Sequence, residues 1–165
     1  MTYAFGAASL SRITHVDPRL VAVAKLAISI STQDFGFSAE QSRTVAEEAE
    51  EVAKGFSHTM HSHHLINQGP GTVTFEKTPS AVGFSGAVDA VPWNGTAFVW
   101  EWPRIYPIAA AFKAASIKLA TPITWGGGSW GKLMTELAGD DAAAMEAAHL
   151  AGGGFDGPHF ELGRN

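Results

Sequence analysis

The sequence contains no cysteine among its 165 residues. Disulfide bonds and thiolate metal sites are therefore excluded, and a transition metal could be held only by imidazole and carboxylate groups. Basic residues are also scarce, with 11 Lys and Arg against 16 Asp and Glu and a net charge of −5. Because phosphate binding relies on clustered Lys and Arg, we do not expect nucleic acid as a partner.

Long apolar runs are missing as well. Lys25 interrupts the apolar segment 20–30 and Lys113 interrupts the segment 108–120, so no stretch reaches the roughly 18 apolar residues of a membrane span. The first fifteen residues hold no basic region followed by an apolar core, so no secretory signal is expected. With 45% apolar residues, we expect one monomeric domain over residues 1–165 that stays in the cytoplasm until something releases it.

Several segments carry helix signals. Asp17-Pro18 supplies an N-cap and a first-turn proline, followed by an apolar stripe at Leu20, Val23, Ala24, Ala27 and Ile28. Residues 44–47 form a capping-box pattern, and the acidic residues at 47, 48, 50 and 51 are expected on a solvated face. A third helix is predicted over 106–119 with Pro107 in its first turn, and a short one over 140–150.

Short β-like runs occur at 72–75, 85–91 and 159–162. Helices and strands are mixed without regular βαβ alternation, which favours the α+β class. We expect a small, mostly antiparallel sheet that carries the functional site and packs against the helices.

Histidine is concentrated in one segment, since His58, His61, His63 and His64 fall within seven residues. Such a cluster could be a metal site or a polar loop whose imidazoles only form hydrogen bonds. Strand alternation in the run 85–91 places Asp89 in an apolar strip, where a carboxylate needs a cation or several donors. Two imidazoles, counting His159, and one carboxylate are three of the four ligands of a catalytic zinc, with the fourth position left for water.

Three motifs then resemble one known family. They are Ser62-His63-His64, Gly86-Ala87-Val88-Asp89 and Asp156-Gly157-Pro158-His159-Phe160-Glu161. The sequence is similar to zinc-dependent peptidoglycan peptidases, which include VanY-type D-alanyl-D-alanine carboxypeptidases and, closer, phage L-alanyl-D-glutamate endopeptidases. The similarity extends to residues 15–20, Arg43-Thr44, Trp125-Gly126-Gly127 and Trp130.

This resemblance implies a zinc ion held by His64, Asp89 and His159. In the family the first two ligands stand close together, whereas 25 positions (89 − 64) separate them here. An insertion over about 66–84 is therefore implied, and His61 and His63 remain alternatives to His64. A second insertion, 131–154, is either a flap near the cleft or an ordinary surface elaboration.

The resemblance also implies the other roles. Asp156 matches the general base in position, and Glu161 is the rival for that role or a partner of the metal ligands. Arg43 would hold a substrate carboxylate or the developing oxyanion, unless it only pairs with Glu47 at the helix start. Candidate substrate contacts follow from the same motifs: Ser62, Trp125 and Trp130.

The expected function is that of a phage-type endolysin that cuts the peptide stem of bacterial peptidoglycan between L-alanine and D-glutamate. It would wait in the host cytoplasm and act at the wall after release, and no separate wall-binding domain is expected. Two alternatives stay open. One is a D-alanyl-D-alanine carboxypeptidase or endopeptidase on the same scaffold, and the other is a zinc-stabilised wall-binding or virion module without activity.

Overall fold

The computed structural model describes residues 2–57, 59–69 and 80–163. Its α-helices are α1 (Ala7–Arg12), α2 (Pro18–Ile30), α3 (Val45–Ala53), α4 (Trp102–Lys118) and α5 (Ala142–Gly152). Its strands are β1 (Phe35–Gly36), β2 (Ala87–Asp89), β3 (Val91–Pro92), β4 (Ile123–Trp125) and β5 (His159–Leu162), and a 3-10 turn spans Met134–Glu136. His58 and the β-run predicted at 72–75 lie outside the described residues. No described helix is long and apolar enough to cross a membrane.

The strands form two small antiparallel sheets. One has the order β2-β5-β4, and the other pairs β1 with β3. The predicted strand at 159–162 is confirmed, whereas the run 85–91 divides between the two sheets at Ala90. Helices thus accompany small antiparallel sheets, and the α+β prediction is confirmed.

The central strand β5 separates the core from a polar face. Phe160 and Leu162 belong to the hydrophobic core, as does Val88, the partner of Phe160 on β2. Because side chains alternate along a strand, His159 and Glu161 lie together on the opposite face. The polar face of β5 can therefore carry a site directly on the central strand of this sheet.

Helix α2 begins and packs as the sequence predicts. The Asp17 side chain accepts a hydrogen bond from the backbone N–H of Arg19 at the start of the helix. The five residues of the predicted apolar stripe are buried, and α2 packs against α4. The prediction of this helix is confirmed.

Helix α3 has the predicted capping box, in which Thr44 and Glu47 bond each other's backbone N–H groups. The predicted solvated acidic face is wrong at one position. Glu48 is fully buried, with 0% of its surface exposed. The reason is that Glu48 turns toward the basic side chain of Arg43, which makes an ion pair with it.

Helix α4 begins at Trp102 rather than at the predicted Tyr106. Pro103 takes the first-turn position, so Pro107 lies inside the helix. An interior proline removes one backbone hydrogen bond and costs about 3 kcal/mol. The cost is offset because α4 buries an apolar face on the sheet, which includes Ile108 and Phe112.

Helix α5 lies within the predicted insertion 131–154 and accounts for 11 of its 24 residues (154 − 131 + 1). It begins after Asp141, whose side chain accepts from the N–H of Ala144, and it ends at Gly152, followed by the cap residue Gly153 in the left-handed conformation with φ of 66°. It packs against α4. The ring of His149 stacks on Trp102 at 3.7 Å between centroids and donates through Nδ1 to the Gly127 carbonyl at 2.8 Å. This part of the insertion is a docked helix in the structure.

Candidate metal centre

Two adjacent strands bring the first pair of candidate ligands together. Asp89 on β2 and His159 on β5 are direct cross-strand partners. The Nδ1 atom of His159 lies 3.2 Å from Oδ1 of Asp89. Directly opposed residues on antiparallel strands hold their side chains close together, so the strand pairing favours this contact.

His64 joins this pair from a segment that is distant in sequence. Its Nε2 lies 3.3 Å from Nδ1 of His159 and 3.4 Å from Oδ1 of Asp89. The backbone holds this segment in place, because the N–H of Arg43 donates to the His64 carbonyl at 2.8 Å. The ligand atoms of His64, Asp89 and His159 all lie within 4.8 Å of one another.

Each of the two imidazoles has a hydrogen-bond partner on the side away from the site, and this partner determines which ring nitrogen faces the site. Nδ1 of His64 lies 2.8 Å from the backbone carbonyl of Gln41, which can only accept, so this nitrogen donates. Nε2 of His159 likewise donates to the Glu161 carboxylate at 3.1 Å. When its inner nitrogen carries no proton, each ring directs a lone pair at the same point beside a carboxylate, and this is the arrangement that a divalent cation requires. The residues fit a metal ion.

The pKa shifts of Asp89 and His159 also indicate a site that favours positive charge. Burial raises the pKa of Asp89, but the imidazoles of His64 and His159 outweigh it and hold the pKa well below 3.8. Burial lowers the pKa of His159, but hydrogen bonds to Asp89 and Glu161 outweigh it and raise the pKa to about 10. The two carboxylates thus favour a positive charge beside His159: a proton at neutral pH, in whose place a divalent cation would bind.

The other described histidines of the cluster lie elsewhere. Nε2 of His63 is 3.7 Å from the Glu161 carboxylate, on the outer side of His159. His61 is exposed. The structure thus brings His64, rather than His61 or His63, to Asp89 and His159.

The two candidate bases have different surroundings. Glu161 is 3% exposed and accepts a hydrogen bond from His159, so it supports a ligand from behind. Asp156 is partly buried, and its carbonyl accepts from the N–H of His159 at 3.3 Å. Burial raises the pKa of the Asp156 carboxyl, and its charge is coupled to those of His159 and Asp89. Asp156 is therefore within electrostatic reach of the site.

The sequence suggested Glu47 as a possible partner of Arg43. In the structure the ion pair of the Arg43 guanidinium is with Glu48. Its Nη1 donates to Oε2 of Glu48 at 3.0 Å, and 28% of the Arg43 side chain remains exposed. The Arg43 backbone lies beside the segment that carries His64. Glu48 thus holds the guanidinium of a residue whose backbone lies beside a candidate ligand.

The three predicted substrate contacts are placed differently. Trp130 is 42% exposed, and its ring lies 5.4 Å from that of His159. Ser62 accepts a hydrogen bond from the N–H of His64 and so shapes the turn before this residue. Trp125 is only 1% exposed, stacks on Phe160 and belongs to the core. We withdraw Trp125 as a substrate contact, because the large ring fills the core and leaves no accessible face.

Two supporting residues were missed from the sequence. Gln41 is 2% exposed; besides its carbonyl bond to His64, its side-chain oxygen accepts from the N–H of Asp89 at 2.5 Å. A single residue thus holds two candidate ligands. Glu48, the partner of Arg43, was assigned to the solvated face. No sequence signal identifies Gln41, and Arg43 and Glu48 are five residues apart, which is not a spacing at which helix side chains ordinarily pair.

Two imidazoles and one carboxylate around one point are the ligand set of single-metal hydrolases. The family model of the phage L-alanyl-D-glutamate peptidases matches residues 1–163, and the chain belongs to this family. The crystal structure of Serratia marcescens L-Ala D-Glu endopeptidase ChiX is similar, with 27% identity and a TM-score of 0.64. The match covers 98% of this chain and 90% of that one. Among curated proteins, no sequence gives a significant match.

Proposed function

We propose that the chain is a zinc-dependent endopeptidase that hydrolyses the bond between L-alanine and D-glutamate in the peptide stem of bacterial peptidoglycan. The observation that carries the proposal is the convergence of His64, Asp89 and His159, with one ring nitrogen of each imidazole facing the Asp89 carboxylate. Membership of the phage L-alanyl-D-glutamate peptidases supports the substrate bond.

The metal is proposed to be zinc because of the donor atoms. Imidazole nitrogen and carboxylate oxygen suit zinc, and three protein ligands leave a position open for water or substrate. When bound, zinc supplies Lewis-acid chemistry, which polarises a carbonyl group and acidifies water. In this chain His64, Asp89 and His159 would hold the ion, while Gln41 and Glu161 fix the ring orientations from behind.

Proton transfer is assigned to Asp156. Its carboxylate takes a proton from the attacking water as the water oxygen bonds to the alanine carbonyl carbon. The same proton then passes to the nitrogen of D-glutamate as the carbon–nitrogen bond breaks. Burial raises the pKa of Asp156, which strengthens it as a base. Glu161 is less suited to this role, because it is engaged with His159.

Substrate binding is assigned to Arg43 and Trp130. Arg43 offers a permanently charged fork to a carboxylate of the substrate or to the developing oxyanion. Trp130 offers an exposed ring beside His159, suited to contact with the peptide or an adjoining sugar. We further propose that cleavage serves lysis of a bacterial host by a phage, in keeping with the family.

Product analysis tests the proposal. Purified peptidoglycan is digested with the protein, and each newly formed amino terminus is identified after derivatisation. We expect D-glutamate termini, their loss when a chelator is present and their return when zinc is added. New amino termini of D-alanine or another residue would show that the protein cuts a different bond of the stem peptide. No new termini, with zinc nevertheless bound, would identify a binding module without activity.

A further inference from the structure

Glu48 differs from the other carboxylates of its helix. It is 0% exposed, whereas the neighbouring Glu50 side chain is 70% exposed and pairs only loosely with Lys54 at 3.4 Å. A carboxylate is rarely buried unless it is paired and hydrogen-bonded, because removing its charge from water is costly. A buried ion pair is weak support for stability in itself, so its presence calls for another explanation.

Both oxygens of the Glu48 carboxylate are used. Oε2 accepts from Nη1 of Arg43 at 3.0 Å, and Oε1 accepts from the hydroxyl of Ser57 at 2.5 Å. Ser57 lies at the start of the segment that leads to His64. The carboxylate is therefore fixed from two sides, and it in turn fixes one nitrogen of the Arg43 guanidinium.

Arg43 is consequently held at both of its ends. Its N–H donates to the His64 carbonyl and its own carbonyl accepts from the N–H of Ile66, each at 2.8 Å. Glu48 holds the opposite end of the side chain, while 28% of that side chain stays exposed. A guanidinium has five N–H donors in a rigid fork, so pairing through one nitrogen leaves others for a substrate.

We infer that Glu48 is a positioning residue, which directs the Arg43 guanidinium toward a carboxylate of the substrate next to the metal centre. The inference rests on the proposed function and names the substrate group concerned. D-glutamate has two carboxyl groups and only one can continue a peptide chain, so a free carboxylate accompanies the scissile bond. A pre-oriented cation favours such a group over its neutral amide.

The test compares two soluble stem peptides, one with the free carboxylate of D-glutamate and one with this group amidated. The variant Glu48→Ala is expected to lower kcat/KM for the acid peptide by about tenfold or more. Its kcat/KM for the amidated peptide should change by less than about twofold, and its zinc content should equal that of the unaltered chain. Glu50→Ala is the matched control on the same helix and should change neither value.

Should Glu48→Ala not fold, Glu48→Asp carries the test, because it keeps the charge but withdraws the carboxylate by one methylene group. The same selective loss on the acid peptide is expected. An equal loss on both peptides, a parallel loss of zinc or no loss at all would overturn the positioning role. Absence of cleavage by the unaltered chain would instead overturn the proposed function, so the two failures are distinguishable.

Discussion

The backbone carbonyl of Gln41 accepts a hydrogen bond from Nδ1 of His64 at 2.8 Å, and the side chain of the same residue accepts one from the N–H of Asp89. Gln41 therefore sets both the tautomer of one ligand and the position of another. The loss of such an outer contact typically lowers the metal affinity of a site by about 10- to 100-fold.

Replacement of Gln41 should weaken metal binding without removing a ligand. Gln41→Ala keeps the carbonyl bond to His64 but leaves the N–H of Asp89 without its acceptor, so zinc affinity should fall about 10- to 100-fold. Competition against a chromophoric chelator measures the change. Gln33→Ala is the control, since the Gln33 amide donates to the carbonyls of Asp34 and Trp93 and not to a ligand residue. Equal affinities in both variants would contradict the role of Gln41.

The histidine cluster gives a second prediction. His64→Ala should abolish stoichiometric zinc binding, because this ring supplies one of the three ligand atoms that meet at the site. His61→Ala should retain the metal, and His63→Ala should weaken binding only modestly through Glu161. Metal content after dialysis, measured by atomic emission, ranks the variants. The opposite ranking would show that a different imidazole holds the ion.

Asp156 should be needed for the reaction and not for the metal. Asp156→Ala is expected to bind zinc as the unaltered chain does, while kcat falls by a factor of about 100 or more. Steady-state cleavage and metal content measured on one preparation separate the two effects. Full activity in this variant would remove Asp156 from the mechanism and return Glu161 to consideration.

Trp130 should act in substrate binding. Trp130→Ala removes an exposed ring beside His159 and should raise KM about tenfold with a smaller change in kcat. Trp100→Ala removes an indole that is even more exposed, at 64% against 42%, and should leave KM unchanged. An equal rise of KM in both variants would point to a general loss of surface contacts and not to a specific subsite.

Asp17, the N-cap of α2, makes the folding stability of the chain depend on pH. Burial raises its pKa, but hydrogen bonds from Arg19 and Ala81 outweigh burial and place the pKa below 3.8. A carboxyl whose pKa is lower when folded stabilises the protein above its unfolded pKa, and this contribution is lost as pH falls through the folded pKa.

Asp17→Asn should therefore lower the free energy of unfolding at pH 7 by on the order of 1 kcal/mol. The difference from the unaltered chain should shrink as pH falls below about 4, where the carboxyl of the unfolded chain is protonated. Urea unfolding at several pH values measures it. Asp141→Asn, at the exposed cap of α5, should cost only a few tenths of a kcal/mol at any of these pH values.

Local signals in the sequence were sufficient for part of the fold. The cap at Asp17, the capping box at Thr44 and the alternation around His159 each depend on a few neighbouring residues, and the structure has all three. The start of α4 was misplaced because two prolines lie one turn apart, and only packing against the core decides which of them begins the helix.

The candidate site was predictable only through the motifs. Spacing alone could not bring His64 to Asp89 across 25 positions (89 − 64). Trp125 was misassigned because the glycines that follow it suggested an open loop, whereas its ring fills the core. Gln41 acts partly through a backbone carbonyl, which every residue possesses, and partly through a side-chain bond to a residue 48 positions away, so neither part leaves a local signal in the sequence.

The most direct test of the central claim counts zinc ions per chain by mass spectrometry under native conditions, for the unaltered protein and for Asp89→Ala. The account predicts one zinc per unaltered chain and none in the variant, since two imidazoles alone do not complete the site. A chain that binds no zinc, or a variant that keeps it at full occupancy, would contradict a metal centre formed by His64, Asp89 and His159.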